Sequence, residues 1–171
     1  MNETRGTLLL SAALAGLTAL TQILTSSDSY GIFRDELYYL ACGRHLGLGY
    51  VDQPPLIALL ARLSQSQLGD SLTGLRLLPA LAHGATAFLV ALMAKELGGD
   101  RFAQALAVVV TWLCPAYVGS FGYLSMNAFD VLIWAGALWV VMRLLRTGEK
   151  RWWLVFGLVA GIGLQNKISV L

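Results

Sequence analysis

A chain of 171 residues that is 57% hydrophobic and 13% charged, with mean hydropathy +0.66, is too apolar for a soluble domain, in which about 25% of residues are charged. It reads as a membrane protein. A net charge of +2, with no Lys/Arg cluster interleaved with aromatics in a polar segment, excludes nucleic acid as a partner.

A membrane span needs about 20 predominantly apolar residues. The first such run is 7–25, where Ser11, Gly16, Thr18 and Thr21 suit close helix packing in lipid. No A-x-A-like site ends it, and it is too long for a signal h-region, so it reads as an uncleaved first helix. A polar stretch follows, about 26–71. Its 28–56 part holds four of the ten acidic residues (Asp28, Asp35, Glu36, Asp52), four tyrosines (Tyr30, Tyr38, Tyr39, Tyr50) and the Pro54-Pro55 pair. Within it, 35–46 predicts a short helix, ended by Gly47, Gly49 and an extended Pro-Pro link. Leu56, Leu59, Leu60 and Leu63 form a helical stripe over 55–68, too short to span and suited to lying in the interface.

Further spans are expected over 72–97, 102–121, 127–145 and 152–171. Pro115 should kink or terminate the third span. Asp130 lies one turn into the fourth, Asn166 and Lys167 one turn from the end of the fifth, and Trp152-Trp153 is placed as an interfacial belt. The expected architecture is an all-α polytopic membrane protein: about five transmembrane helices, with two juxtamembrane amphipathic helices in the first outer loop. The absence of a polar tail after Leu171 reads as a fragment of a longer chain. Cys42 in the loop and Cys114 inside an apolar run argue against a disulfide framework. His45 and His83 are not in metal-ligand spacing.

Positive charge sets the orientation. With a cytoplasmic N-terminus, the inner side receives Arg5, Lys95, Arg101, Arg143, Arg146, Lys150 and Arg151, and the outer side Arg34, Arg44, Arg62, Arg76 and Lys167. The long loop then faces the periplasm or exterior, from the plasma (inner) membrane. Asp35, Asp130 and Lys167 come from separate segments and converge near one membrane surface. Ionisable groups there are costly unless paired or wet, which makes them site candidates. Each also has a plainer role. Asp130 could serve the helix dipole or pair with Lys167, and Lys167 could snorkel. Asp35-Glu36 could simply open a helix, and Asp52 could be a turn residue. Arg44 and Arg62 read as solvated or headgroup contacts, and His83 as a packed, hydrogen-bonded core group.

The run Asp35-Glu36-Leu37-Tyr38-Tyr39, then Gly49-Tyr50-Val51-Asp52-Gln53-Pro54-Pro55-Leu56, then Gly69 and Arg76, resembles the first outer loop of the GT-C glycosyltransferases, family 39 and its bacterial relatives. Asn127-Ala128-Phe129-Asp130 and Gln165-Asn166-Lys167 extend the likeness. The resemblance implies inverting transfer of a sugar from a polyprenyl-phosphate donor to a hydroxyl of a lipid, glycan or protein acceptor on the outer face, among membrane lipids. On it, Asp35 would be the general base, with Glu36 its partner in the acidic pair, and Asp130 would orient the acceptor. Lys167 would meet the lipid phosphate, with Arg76 second; Tyr39 and Gln53, from the same motifs, complete the substrate set. Asp52 matches the position of an acid that contacts a metal in some relatives, which would bring in a divalent metal. Where protein mannosyltransferases carry His and aminoarabinose transferases Lys before Pro-Pro, this chain has Gln53, which supplies no positive charge. Two other classes stay open: a transporter segment using Asp130 and Lys167 as an intramembrane pair, and a non-catalytic assembly subunit.

Overall fold

The computed structural model describes residues 2–26, 31–69 and 71–170. Asp28, Tyr30 and Leu171, named above, lie outside the described residues. Those described form helices α1 (Asn2–Ser26), α2 (Arg34–Arg44), α3 (Leu56–Leu68), α4 (Leu72–Glu96), α5 (Arg101–Leu113), α6 (Pro115–Ser120), α7 (Met126–Thr147) and α8 (Arg151–Asn166), then a 3₁₀ turn at Ile168–Val170. No strand occurs among them. Three helices, α1, α4 and α7, are long and apolar enough to cross a bilayer. With the shorter apolar α5 and the 16-residue α8, they make an all-α polytopic membrane protein.

Helix α4 is the central element, packed against α1, α5, α7 and α3. Its approach to α1 depends on Gly84: a Cβ there would sit 2.7 Å from the Ala15 carbonyl oxygen and 3.0 Å from the Ala19 Cβ. Small residues allow such close backbone contact in lipid, where apolar burial gives no preference for one helix over another. Hydroxyls at this depth bond back to their own helices, as Thr18 does to the Leu14 carbonyl and Thr86 to that of Ala82.

The single run expected over 102–121 is divided by the extended Cys114 into α5 and α6. Pro115 has no N–H, so it cannot donate to the carbonyl of Thr111 four residues earlier. His83 supplies the missing donor from α4, its Nε2 lying 3.2 Å from that oxygen. The ring is fully buried, stacks on Phe121 at 4.6 Å, and places Nδ1 2.9 Å from Gln22 Oε1 of α1. Gln22 Nε2 in turn donates to the Val118 carbonyl of α6. One buried network therefore joins α1, α4, α5 and α6 around a proline break.

Arg76 and Glu96 lie on α4 about 30 Å apart by the helical rise, which matches the hydrocarbon thickness. At the Glu96 end, its carboxylate bonds Arg143 at 2.9 Å and Arg146 at 2.7 Å, fastening α4 to α7. At the Arg76 end lie α2 and α3. Their crossing is close, since a Cβ on Gly43 would be 3.0 Å from the Arg62 nitrogen. Helix α3 buries Ile57, Ala58, Ala61 and Ser64 and leaves Leu59 and Leu63 exposed, the amphipathic habit expected of an interfacial helix. Both cysteines are free thiols.

Candidate active site

Two consecutive acids open α2 and face opposite ways. Glu36 is fully buried, whereas 39% of the Asp35 side chain remains exposed. The only ion pair of Asp35 among the described residues is with the outward-lying Arg34, at 3.2 Å. Exposed pairs of this kind contribute little, so the Asp35 carboxylate stays available.

All the acceptor capacity of Glu36 is used inside the protein. Oε2 accepts from the Phe33 N–H at 2.7 Å, closing the first turn of α2, and from Arg76 Nη2 at 3.1 Å. Oε1 accepts from Arg76 Nε at 3.3 Å and from the Leu124 N–H, just before α7, at 2.9 Å. The two-pronged geometry is the strong form of the Arg–carboxylate bond. Arg76, 3% exposed, also donates to the carbonyls of Ser26 and Gly31. One ion pair thus gathers the end of α1, the start of α2, α4 and the entry to α7. Sequence reading expected Glu36 at the chemistry and Arg76 at a phosphate; here each is committed to the other.

The loop 45–55 folds back onto α2. The Tyr50 hydroxyl lies 3.0 Å from the Cys42 carbonyl and 3.1 Å from that of His45, and accepts from the Gly47 N–H, so it closes the C-terminal end of α2. The Tyr38 hydroxyl donates to Asp52 at 2.6 Å. That bond pushes the Tyr38 phenol far above its usual range. Tyr39 is pushed up to about 12, by burial first and then by the negative charges of Asp35 and Asp52. Tyr39 is 5% exposed and packs into the core with Leu40, Ile57, Leu75, Leu124 and Phe129, which brings α2 against the start of α7. Gln53 is also buried: its Nε2 donates to the Cys42 sulfur at 3.6 Å, and its Oε1 has no partner among the described residues. Asp52 is a single carboxylate held by Tyr38, and no group of three His, Cys, Asp or Glu side chains gathers among the described residues. These residues alone do not make a Ca²⁺ cage of six or more oxygens, whereas a Mg²⁺ ion, which keeps several waters and binds substrate phosphate, would ask only for a carboxylate such as Asp52.

Three hydrogen bonds join the start of α7 to the end of α8 and the 3₁₀ turn after it. Asn166 Nδ2 donates to the Met126 carbonyl at 2.9 Å, Lys167 Nζ to Asn127 Oδ1 at 3.0 Å, and the Ser169 hydroxyl to Asp130 Oδ1 at 2.9 Å. Asp130 and Lys167 therefore share one rim without pairing with each other. Sequence reading missed Leu124, Asn127 and Ser169 as partners. Only Asn127, inside the motif that ends at Asp130, carried a signal that could have found it.

The family described as Dolichyl-phosphate-mannose-protein mannosyltransferase matches residues 52–171. A lipid A galacturonosyltransferase of Rhizobium johnstonii is 27% identical over 157 residues, covering 91% of this chain and 33% of that protein. An undecaprenyl phosphate-alpha-4-amino-4-deoxy-L-arabinose arabinosyl transferase of Pseudomonas savastanoi pv. phaseolicola is 25% identical over 127 residues, covering 71% of this chain and 24% of that protein. The chain spans about a third or less of the length of these curated relatives. No solved structure matches it.

Proposed function

The chain belongs to the dolichyl-phosphate-mannose-protein mannosyltransferase family, and from that membership we propose that it is the N-terminal part of a membrane glycosyltransferase. The protein moves a sugar from a polyprenyl-phosphate donor to an acceptor hydroxyl at the outer face of the inner membrane, the N-terminus being cytoplasmic. The observation that carries the reading is the split between Asp35 and Glu36: one carboxylate is open to a substrate, and it is held in place by the other.

In this reaction the acceptor oxygen attacks the anomeric carbon as Asp35 takes its proton. The bond from that carbon to the phosphate oxygen breaks, its electron pair leaves with the polyprenyl phosphate, and the anomeric configuration inverts. A hydroxyl is a weak nucleophile at neutral pH, and a positioned base supplies about 10²–10⁴-fold. Lys167, steadied by Asn127, is the cation for charge developing on the departing phosphate. Asp130, oriented by Ser169, fits a role in holding the acceptor. Glu36, Arg76 and Tyr39 are positioning residues that fix α2 against α4 and α7, and Gln53 ties the Pro-Pro link to α2.

A transporter would be expected to keep its ionisable groups near the membrane midplane. Asp35, Asp130 and Lys167 all stand at or beside helix ends, which favours the enzyme. The test is sugar transfer by the whole protein carrying Asp35→Asn, inserted in membranes. Transfer should fall by about 10²–10⁴-fold, with donor binding retained. Full activity in the inserted variant would remove Asp35 from the chemistry.

A further inference from the structure

On the outer flank of the α2–α3 pair, Arg44, Arg62, Gln65 and Ser66 line an open cleft of about 340 Å³. Arg44 closes α2, and Arg62 lies in the middle of α3. Both are exposed, and neither has a carboxylate partner among the described residues. Two guanidinium groups sharing one cleft repel each other. The fold nonetheless holds them together, because Gly43 seats the backbone of α2 directly on Arg62. A helix C-terminus favours a cation, which accounts for Arg44. Arg62, mid-helix in α3, packs against that same last turn of α2, so one helix end, worth about half a charge, faces two full cations.

We propose that this cleft is a binding site for a phosphate-type oxyanion, gripped by Arg44 and Arg62 together. Planar guanidinium forks match phosphate oxygens two by two, and Gln65 and Ser66, whose hydroxyl donates to the Leu63 carbonyl, complete the lining. The site is separate from Asp35. Nine residues along α2 place Arg44 about 13 Å further on and on the opposite side of the helix. The exposed Leu59 and Leu63 flank Arg62 on α3, so an anion on a lipid headgroup could lay its chains beside them; a soluble phosphate would use the same two arginines. The site does not depend on the transferase reading.

The experiment follows phenylglyoxal modification of individual arginines in the whole protein, mapped by peptide mass. In detergent, sodium phosphate is compared with sodium chloride at equal ionic strength. In nanodiscs, phosphatidylcholine is compared with phosphatidylcholine containing phosphatidic acid. Arg44 and Arg62 should react several-fold more slowly in one of the two arms, while Arg151, exposed at the far end of the bundle, is unchanged. Protection in detergent identifies a soluble phosphate, and protection only in nanodiscs a headgroup. No protection in either arm, or equal slowing at Arg151, overturns the site. In Arg44→Gln the protection of Arg62 should be lost; its persistence would overturn the two-pronged grip.

Discussion

The Glu36 carboxylate meets the Arg76 guanidinium at 3.1 Å where both side chains are closed to solvent, 40 residues apart in the chain. Such a pair is costly to bury and contributes to stability only when its remaining valences are filled. Here they are: backbone N–H groups fill those of Glu36, and backbone carbonyls those of Arg76. Removing one partner leaves the other charged and unpaired.

The first prediction concerns that pair. Glu36→Ala and Arg76→Ala should each destabilise the protein by about 3–5 kcal/mol, read as loss of thermal stability in detergent. The double variant should lose clearly less than the sum, because the uncompensated charge is gone in both directions. Additive losses would mean that the two side chains act separately, and the four segments would then need another fastening.

Tyr39 gives a prediction about alkaline pH. Its phenol is pushed up to about 12 in the folded chain, against an ordinary value of 10.0. A raised folded pKa means that the native state keeps its proton after the unfolded state has lost it. The stabilisation is then complete below the unfolded value and drains away as pH rises from about 10 to about 12. Tyr39→Phe should flatten the fall in stability across that window. A tyrosinate absorbance titration should show one late-ionising phenol fewer in the same variant, that of Tyr38 remaining. If the number of late phenols is unchanged, Tyr39 is not a buried phenol.

Much of this architecture was legible in the residues. Apolar runs marked α1, α4 and α7, the Leu56–Leu63 stripe marked α3, and Pro115 marked the break after α5. The helix-opening acids of α2 were also visible as a pair. Their opposite fates were not, because the environment of Glu36 is set by Arg76 and Leu124, 40 and 88 positions away. Lys167 is a similar case. Its depth was readable from the run that precedes it, but its choice of Asn127 over Asp130 follows from how the end of α8 meets the start of α7. Pattern reading reports which residues are chemically capable. Which of them are left free depends on partners that only packing brings together.

Gly84 offers a direct test of the α1–α4 contact. A methyl group there would press on the Ala15 carbonyl oxygen at 2.7 Å, against backbone rather than a movable side-chain tip. Gly84→Ala should force the helices apart and cost about 1–3 kcal/mol, the usual penalty for overpacking. Gly161, with open space around its Cβ position, is the control: Gly161→Ala should be neutral or slightly stabilising. Equal behaviour of the two variants would show that α1 does not approach α4 this closely.

The His83–Thr111 bond makes a prediction of the opposite kind, in which a second substitution repairs the first. Pro115 deprives the Thr111 carbonyl of its ordinary helical donor, and His83 Nε2 replaces it from across the α4–α5 interface. His83→Ala leaves that buried oxygen unsatisfied, a loss of about 1–3 kcal/mol, and also empties the space against Phe121. Pro115→Ala restores an N–H at the position from which α5 could continue into α6, aimed at the same carbonyl. The double variant should therefore be more stable than His83→Ala alone in thermal unfolding in detergent. If Pro115→Ala adds to the damage instead, then the histidine is not the surrogate donor, and its role lies in the contact with Gln22.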